Sequence, residues 1–530
     1  MDLQKVVHQQ TALMSTAVLF AASTLFLVFL WARRRPSGSI FANLPGPPSP
    51  SWVYGNMLQL LLAENYGDHE FQWHKRYGDL YRLKGFFGEE RLVVSDPQAL
   101  KHILNDPTFT RPPSNFQLSS LIFGQNSVWV AQGEDHRRLR AAMSAGFSGR
   151  GVRTLLPIFG AAAKAIVRDW ETLCASGSST QVDVAKTMDD ATFNIMRDAA
   201  LGSTLQDAEN SLSLRFPPNA FLRSKAGVVT EFSANFMPTF LLRLMFRLPG
   251  DIPRAVNRFK AATQRMMELK AQDLESGADD GDLLSLIYAS KTGVTSKQVA
   301  AQIPILLLAG QESSSTTLSW CLYQLAANPS FQDELREEIV MQARNLEEGD
   351  DFEYDNMPLL NALLKETLRL LPPGPLEDRC PSKDSVLPLS SEIVTSTGER
   401  VTEVPVKKGQ FIHLAVASYQ RSEALWGADA HEFKPSRWLK DEPCKGQALG
   451  PYAHLLAFWG GPRVCPGWRF ALLEMQVLLT EILPRFKFSL PANSVVRAQL
   501  STTQFPANTE GVKSLLLSVE RSAGTGGVGQ

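Results

Sequence analysis

Apolar side chains return at helical spacing through 155–176, 188–200, 254–275, 296–327, 330–345, 359–371 and 467–483. Strand-like alternation is confined to 80–95 and 385–415, where Gly398 and Gly409 mark turns. From about 55 to 520 no linker, repeat or low-complexity tract breaks the pattern. The expectation is a mainly α fold, one helical catalytic domain over 51–521 with a small β region. Segment 296–327 is the most informative helix. Thr295 and Gln298 have capping-box spacing at its start, and Asn328-Pro329 stops it. Its middle is odd, because Leu306-Leu-Leu-Ala309 gives way to Gly310 and a polar run, Gln311 to Thr317. Polar residues inside a central helix are costly unless they are used. Gly310 adds about 1 kcal/mol of helix penalty and Pro304 removes a helical bond. A helix opened locally beside a ligand explains all of these together.

The amino terminus is different in kind. Ala12 to Trp31 carries no charge over 20 residues, long enough to span a bilayer as a helix. Arg33-Arg34-Arg35 follows, whereas only Lys5 is basic before it, so the positive-inside rule puts the body in the cytosol. A cleaved signal peptide is disfavoured by the barely basic leader and the arginine stop. The expected order is a luminal 1–11, one transmembrane anchor at 12–32, and a basic, proline-rich hinge at 33–50. A glycine-rich, disordered tail closes the chain at 522–530. Phe236 to Leu248 is too short to span but suits a second, shallow membrane contact.

Composition changes little. A net charge of −1 gives no support for nucleic-acid binding. Five scattered cysteines, odd in number, fit a reducing compartment rather than a disulfide framework.

The candidate chemistry gathers near Cys465, in Phe458-Trp-Gly-Gly461-Pro-Arg463-Val-Cys465-Pro-Gly467. A thiolate is a strong ligand for a soft or borderline metal, and Arg463 supplies a fork that matches a carboxylate. Glycines let a backbone approach a flat cofactor, and free N–H groups can tune the sulfur. Residue chemistry alone leaves this open against a small buried hydrophobe. Zinc is disfavoured, since no second Cys or His lies at ligand spacing. Glu366 and Arg369 share a helix face among leucines, where a bidentate pair would be structural.

The full pattern F-x-x-G-x-R-x-C-x-G resembles the haem-thiolate loop of the cytochrome P450 monooxygenases, a family whose thiolate ligation is an established example. The resemblance runs from about 40 to 520, and the wording after Gly461 looks most like basidiomycete fungal enzymes of specialised metabolism. It implies the cytochrome P450 fold and haem b (iron protoporphyrin IX) with Cys465 as axial iron ligand. Phe458, Gly461, Arg463 and Gly467 would line the haem. Ala309-Gly-Gln-Glu312-Ser313 resembles the family's distal-helix signature, in which Glu312 and Ser313 would deliver protons to dioxygen; Ser313 replaces the usual threonine. Glu366-x-x-Arg369 and Arg437 match the family's structural triad. His136 and Arg140 resemble its W-x-x-x-R pair with histidine for tryptophan, and Arg379 falls where the family has another propionate ligand.

The resemblance further implies a membrane-bound enzyme of the endoplasmic reticulum with a cytosolic catalytic domain. Electrons would come from NADPH through a separate cytochrome reductase, with cytochrome b5 as an optional second donor. The substrate would be an apolar small molecule, of terpenoid or sterol-like class. Two other functions compete: a haem-thiolate isomerase or dehydratase acting on peroxides, and a non-catalytic haem sensor or carrier. The Glu312-Ser313 pair argues against the peroxide enzyme, which needs no proton relay.

Overall fold

The helix Ile303–Ala327 is the axis of the fold, with 19 of its 25 residues buried. The computed structural model describes residues 43–522, apart from 176–178, 203–214, 216–234, 236–238, 246, 248–250, 278–280, 291, 347–351, 441–443 and 445–447. The expected residues 1–11, the anchor, the hinge up to residue 42, most of the tail and residues 236–238, 246 and 248 therefore lie outside the described residues, whereas Thr239–Met245 is a helix. Among the described residues no helix is long and apolar enough to cross a membrane.

Helices form where the pattern places them: Leu156–Leu173, Val184–Leu201, Asp251–Ser276, Pro329–Arg344, Pro358–Leu370 and Trp468–Ile482. Their apolar stripes merge in one large core that includes Phe159, Trp170, Phe193, Leu318 and Phe470. The expected helix 296–327 is instead two helices, Ser296–Ala300 and Ile303–Ala327. The capping box at Thr295 and Gln298 forms as expected. Gln302 marks the break. Its side chain accepts from Val128 N–H (2.7 Å) and donates to the carbonyls of Asn126 and Gln298 (both 2.8 Å). Pro304 thus falls in the first turn of the second helix, where the missing N–H costs nothing.

Strands are more numerous than the alternation predicts. β1 (Leu80–Lys84), β2 (Glu90–Val94), β3 (Phe109–Thr110), β5 (Leu376–Pro381) and β8 (Phe411–Ala415) make a sheet in the order β1-β2-β8-β5-β3. Only β2 and β8 run parallel in it. β6 (Ser385–Val394) and β7 (Arg400–Val406) form a hairpin that turns at Gly398, whose φ of 84° favours glycine. β4 (Thr180–Asp183), β12 (Leu516–Arg521) and β9 (Phe486–Ser489) make a third sheet, and β10 (Arg497–Leu500) with β11 (Gln504–Ala507) a second hairpin. The start of the proline stretch is docked. Leu44 is fully buried, and its carbonyl accepts from Arg82 Nε at 2.8 Å.

Candidate active site

The cysteine loop is set by close packing on protein. Gly461 has φ +63°, and a Cβ there would lie 2.3 Å from the Leu104 carbonyl oxygen. A Cβ on Gly460 would lie 2.2 Å from that of Leu449. These glycines thus let the loop meet other backbone, a need the sequence pattern assigns to a cofactor. Cys465 N–H donates to the Phe458 carbonyl at 2.8 Å and closes the loop. Phe458 itself is buried and touches Tyr452 edge to face. Cys465 is a free cysteine and, like Cys444, only partly buried, whereas Cys174, Cys321 and Cys380 are buried. Its packed surroundings raise its pKa, opposed by the Gly467 N–H and by Arg140. Those two favour the anionic form of the sulfur, but burial outweighs them.

Cations converge beside this loop. His136 and Arg140 stand one turn apart on the helix Gly133–Gly146. Arg463 donates to the carbonyls of Ala131 (2.9 Å) and Val128 (3.4 Å). Arg379, on β5, donates to Glu377 at 2.8 Å. A further member, Arg111, has no motif around it, so nothing in the sequence singles it out. It donates to the same Glu377 oxygen at 3.3 Å and stacks on Trp129 at 3.7 Å. Arg140 makes no side-chain hydrogen bond or ion pair among the described residues. The strain is electrostatic. Burial, then Arg463, Arg140 and Arg111, push His136 down to about 4. Burial and neighbouring arginines hold Arg463 down to about 10, and burial does the same for Arg111. Four guanidinium groups, of which only Arg111 and Arg379 are bonded to Glu377, are short of negative charge. The two propionates of a haem fit that deficit, and the free cysteine beside the cluster fits its iron.

The central helix is buried on nearly every side in its middle, but Leu308, Ala309, Gly310 and Ser313 keep partial or full exposure. The polar run does not open the helix, which stays continuous from 303 to 327. Protein contacts use it instead. Gln311 Nε2 donates to Asp189 at 2.9 Å and Ser315 Oγ to the other Asp189 oxygen at 3.2 Å. Lys513 Nζ completes that group at 2.8 Å. Gly310 has a packing reason too, since a Cβ there would stand 2.2 Å from the Met196 methyl. Ser313 Oγ donates to the Ala309 carbonyl at 2.7 Å. Glu312 is 6% exposed and is bonded to the Thr502 hydroxyl, not to Ser313. Burial raises its pKa and Asp189 adds to this, while Lys513 and Thr502 oppose.

Glu366, Arg369 and Arg437 meet in the interior. Arg369 grips Glu366 with two bonds of 2.8 and 2.9 Å, and Arg437 Nε reaches the same carboxylate at 3.0 Å. Trp438 Nε1 and Lys434 N–H fill its remaining lone pairs. Arg369 also donates to the carbonyls of Gln420 and Glu432, both at 3.0 Å, and to that of Ala430. A buried ion pair this fully bonded fixes how the Pro358–Leu370 helix meets the 420–437 segment.

The family model for cytochrome P450 matches residues 45–514. Cytochrome P450 monooxygenase 205 of Postia placenta is 31% identical over 477 residues, 84% of this chain and 86% of that relative. Cytochrome P450 monooxygenase 128 of the same fungus is 30% identical, covering 87% and 89%. Cytochrome P450 monooxygenase claO of Ampulloclitocybe clavipes is 29% identical, covering 88% and 91%.

Proposed function

The chain belongs to the cytochrome P450 family, a family of haem b monooxygenases, and on that premise we propose a membrane-anchored enzyme that hydroxylates a terpenoid or sterol-like molecule. The observation that carries the site reading is the free Cys465 beside an under-neutralised arginine cluster. Cys465 would hold the iron, and Arg111, Arg140, Arg379 and Arg463 the propionates, with neutral His136 donating a hydrogen bond. Haem b, when bound, supplies the chemistry that splits dioxygen and puts one oxygen atom into the substrate. The protein's own part is to hold the thiolate, keep the pocket apolar and move protons. Glu312, buried and held toward its neutral form, is the acid. Ser313 is the hydroxyl beside it, able to accept one proton while donating another.

No dinucleotide or flavin fingerprint occurs in the sequence, so the electrons would come from NADPH through a separate reductase. The reading of residues 12–32 as a single span in the endoplasmic reticulum rests on their length and on the arginines after them. Phe240 and Leu244, one helical turn apart, are 68% and 53% exposed, which supports a second, shallow contact with the bilayer.

One experiment tests the whole reading. The full chain, co-expressed with a fungal reductase, is supplied with candidate terpenoids, and products are profiled with and without NADPH. Oxidised product should require both NADPH and dioxygen. Cys465→Ala should abolish product together with the red-shifted Soret band of the reduced carbonyl complex. Full turnover without NADPH would turn the reading to a peroxide isomerase. Retention of that band in Cys465→Ala would move the iron to another ligand.

A further inference from the structure

Glu312 and Ser313 are neighbours in sequence, yet their polar atoms are turned to different partners. Ser313 bonds back to its own helix at Ala309, whereas Glu312 bonds to Thr502, a residue from a distant part of the chain. Thr502 sits in the turn between β10 and β11 and is exposed, while the carboxyl it touches is buried. The helix cannot rotate to change this. Gln311 and Ser315, on either side of Glu312, are both tied to Asp189, which Lys513 also holds. Thr316 is tied in turn to Thr503 at 3.2 Å, so hairpin and helix are pinned next to the Glu312 contact.

We propose that Thr502 is a positioning residue for proton supply, holding Glu312 and serving as the hydroxyl through which it regains its proton from water. This rests on the reading of Glu312 and Ser313 as the proton-delivering pair. The overall reaction is RH + O2 + NADPH + H+ giving ROH + H2O + NADP+, with the electrons arriving through the reductase. On that reading Glu312 would supply the proton, and Ser313, whose hydroxyl here donates to the Ala309 carbonyl, would turn from it to pass the proton on. The carboxylate left behind must be recharged before the next delivery. It is buried, so water reaches it through a group that spans from surface to interior. A hydroxyl does this in one motion, accepting from water as it donates to the carboxylate. Lys513 and Asp189 are the charged groups beside Glu312, and they are bonded to each other.

The test uses the full chain with haem and reductase. Thr502→Val keeps the shape and removes the hydroxyl; Thr502→Ser keeps the hydroxyl. Glu312→Gln removes the acid, and Thr503→Val disturbs the same hairpin without touching Glu312. Two quantities are read. The first is the infrared carboxyl C=O band of the substrate-free protein that disappears in Glu312→Gln. The second is product and peroxide formed per NADPH consumed. Thr502→Val should shift the band to higher wavenumber, lower product per NADPH and raise peroxide. Thr502→Ser and Thr503→Val should leave both as in the parent. If Glu312→Gln itself couples like the parent, the proton-pair reading fails and takes this inference with it. If Glu312→Gln uncouples but Thr502→Val does not, the role of Thr502 alone is overturned, whether or not the band moves. An equal change in Thr503→Val overturns it as well, because the hairpin rather than the hydroxyl is then responsible.

Discussion

Glu474 is the residue whose chemistry least fits its place. It lies in the helix after Cys465 with no exposed surface, and neither carboxyl oxygen makes a hydrogen bond. Burial lifts its pKa from the ordinary 4.5 to about 8, with the nearby Ser314 hydroxyl opposing. The folded chain therefore holds a proton that the unfolded chain releases near pH 4.5. Stability falls as pH rises through that window, because the folded state binds more protons there. The loss amounts to about 1.4 kcal/mol for each pH unit crossed between the two values. Glu474→Gln has the same shape and cannot ionise. Its melting temperature should match the parent near pH 4.5 and exceed it increasingly toward pH 8. A gap that does not change with pH would mean Glu474 ionises in the folded chain as it does in the unfolded one. At this scale the sequence is uneven. Cys465, Arg463 and the Glu366-Arg369 pair can be read because their partners or motif lie close along the chain. Arg111 and Thr502 cannot, since an isolated arginine or threonine is surface by default and only tertiary contact gives it a role.

Elements are legible where a long apolar stripe defines them, and misleading where a local penalty is taken at face value. Pro304 looks disruptive and is harmless, because Gln302 ends the preceding helix. The small strands β4, β9, β10, β11 and β12 are only four to six residues long, too short for periodicity to separate them from loop even where Phe486 and Phe488 alternate with polar residues in β9. Gly310 suggests a helix opened by a ligand, whereas it is the place where the central helix crosses Val184–Leu201 at Met196. Gly310→Ala thus sets two effects against each other. Helix propensity gains about 1 kcal/mol. Displacing the buried Met196 side chain costs typically about 1–3 kcal/mol. The variant should be less stable than the parent by about 1 kcal/mol in chemical unfolding. With Met196→Ala already present the same change should become stabilising, because the obstacle has gone. Equal effects in the two backgrounds would show that the crossing does not require glycine.

The arginine cluster belongs to the whole molecule, because its members come from four separate places. Arg111 precedes the 113–123 helix, Arg140 is on 133–146, Arg379 is on β5 and Arg463 is in the cysteine loop. Folding alone brings these like charges together, with Glu377 bonded to two of them. The fold is thus under electrostatic strain; on the proposed reading a doubly carboxylated group would relieve it and so couple haem capture to final consolidation of the structure. Arg140 gives the cleanest test, because among the described residues its side chain has no partner to lose. Arg140→Ala should act with opposite sign on the two forms. In the holoprotein it removes a propionate partner, so haem per polypeptide should fall while polypeptide is still made. In the haem-free protein it removes a repelling cation, so the melting temperature should rise. That rise should shrink with added salt, since screening weakens the repulsion it relieves. Haem content and haem-free melting curves at low and high salt measure both effects on one preparation. Unchanged haem retention would take Arg140 out of the site, and a lower haem-free melting temperature would show that packing of its side-chain stem outweighs its charge.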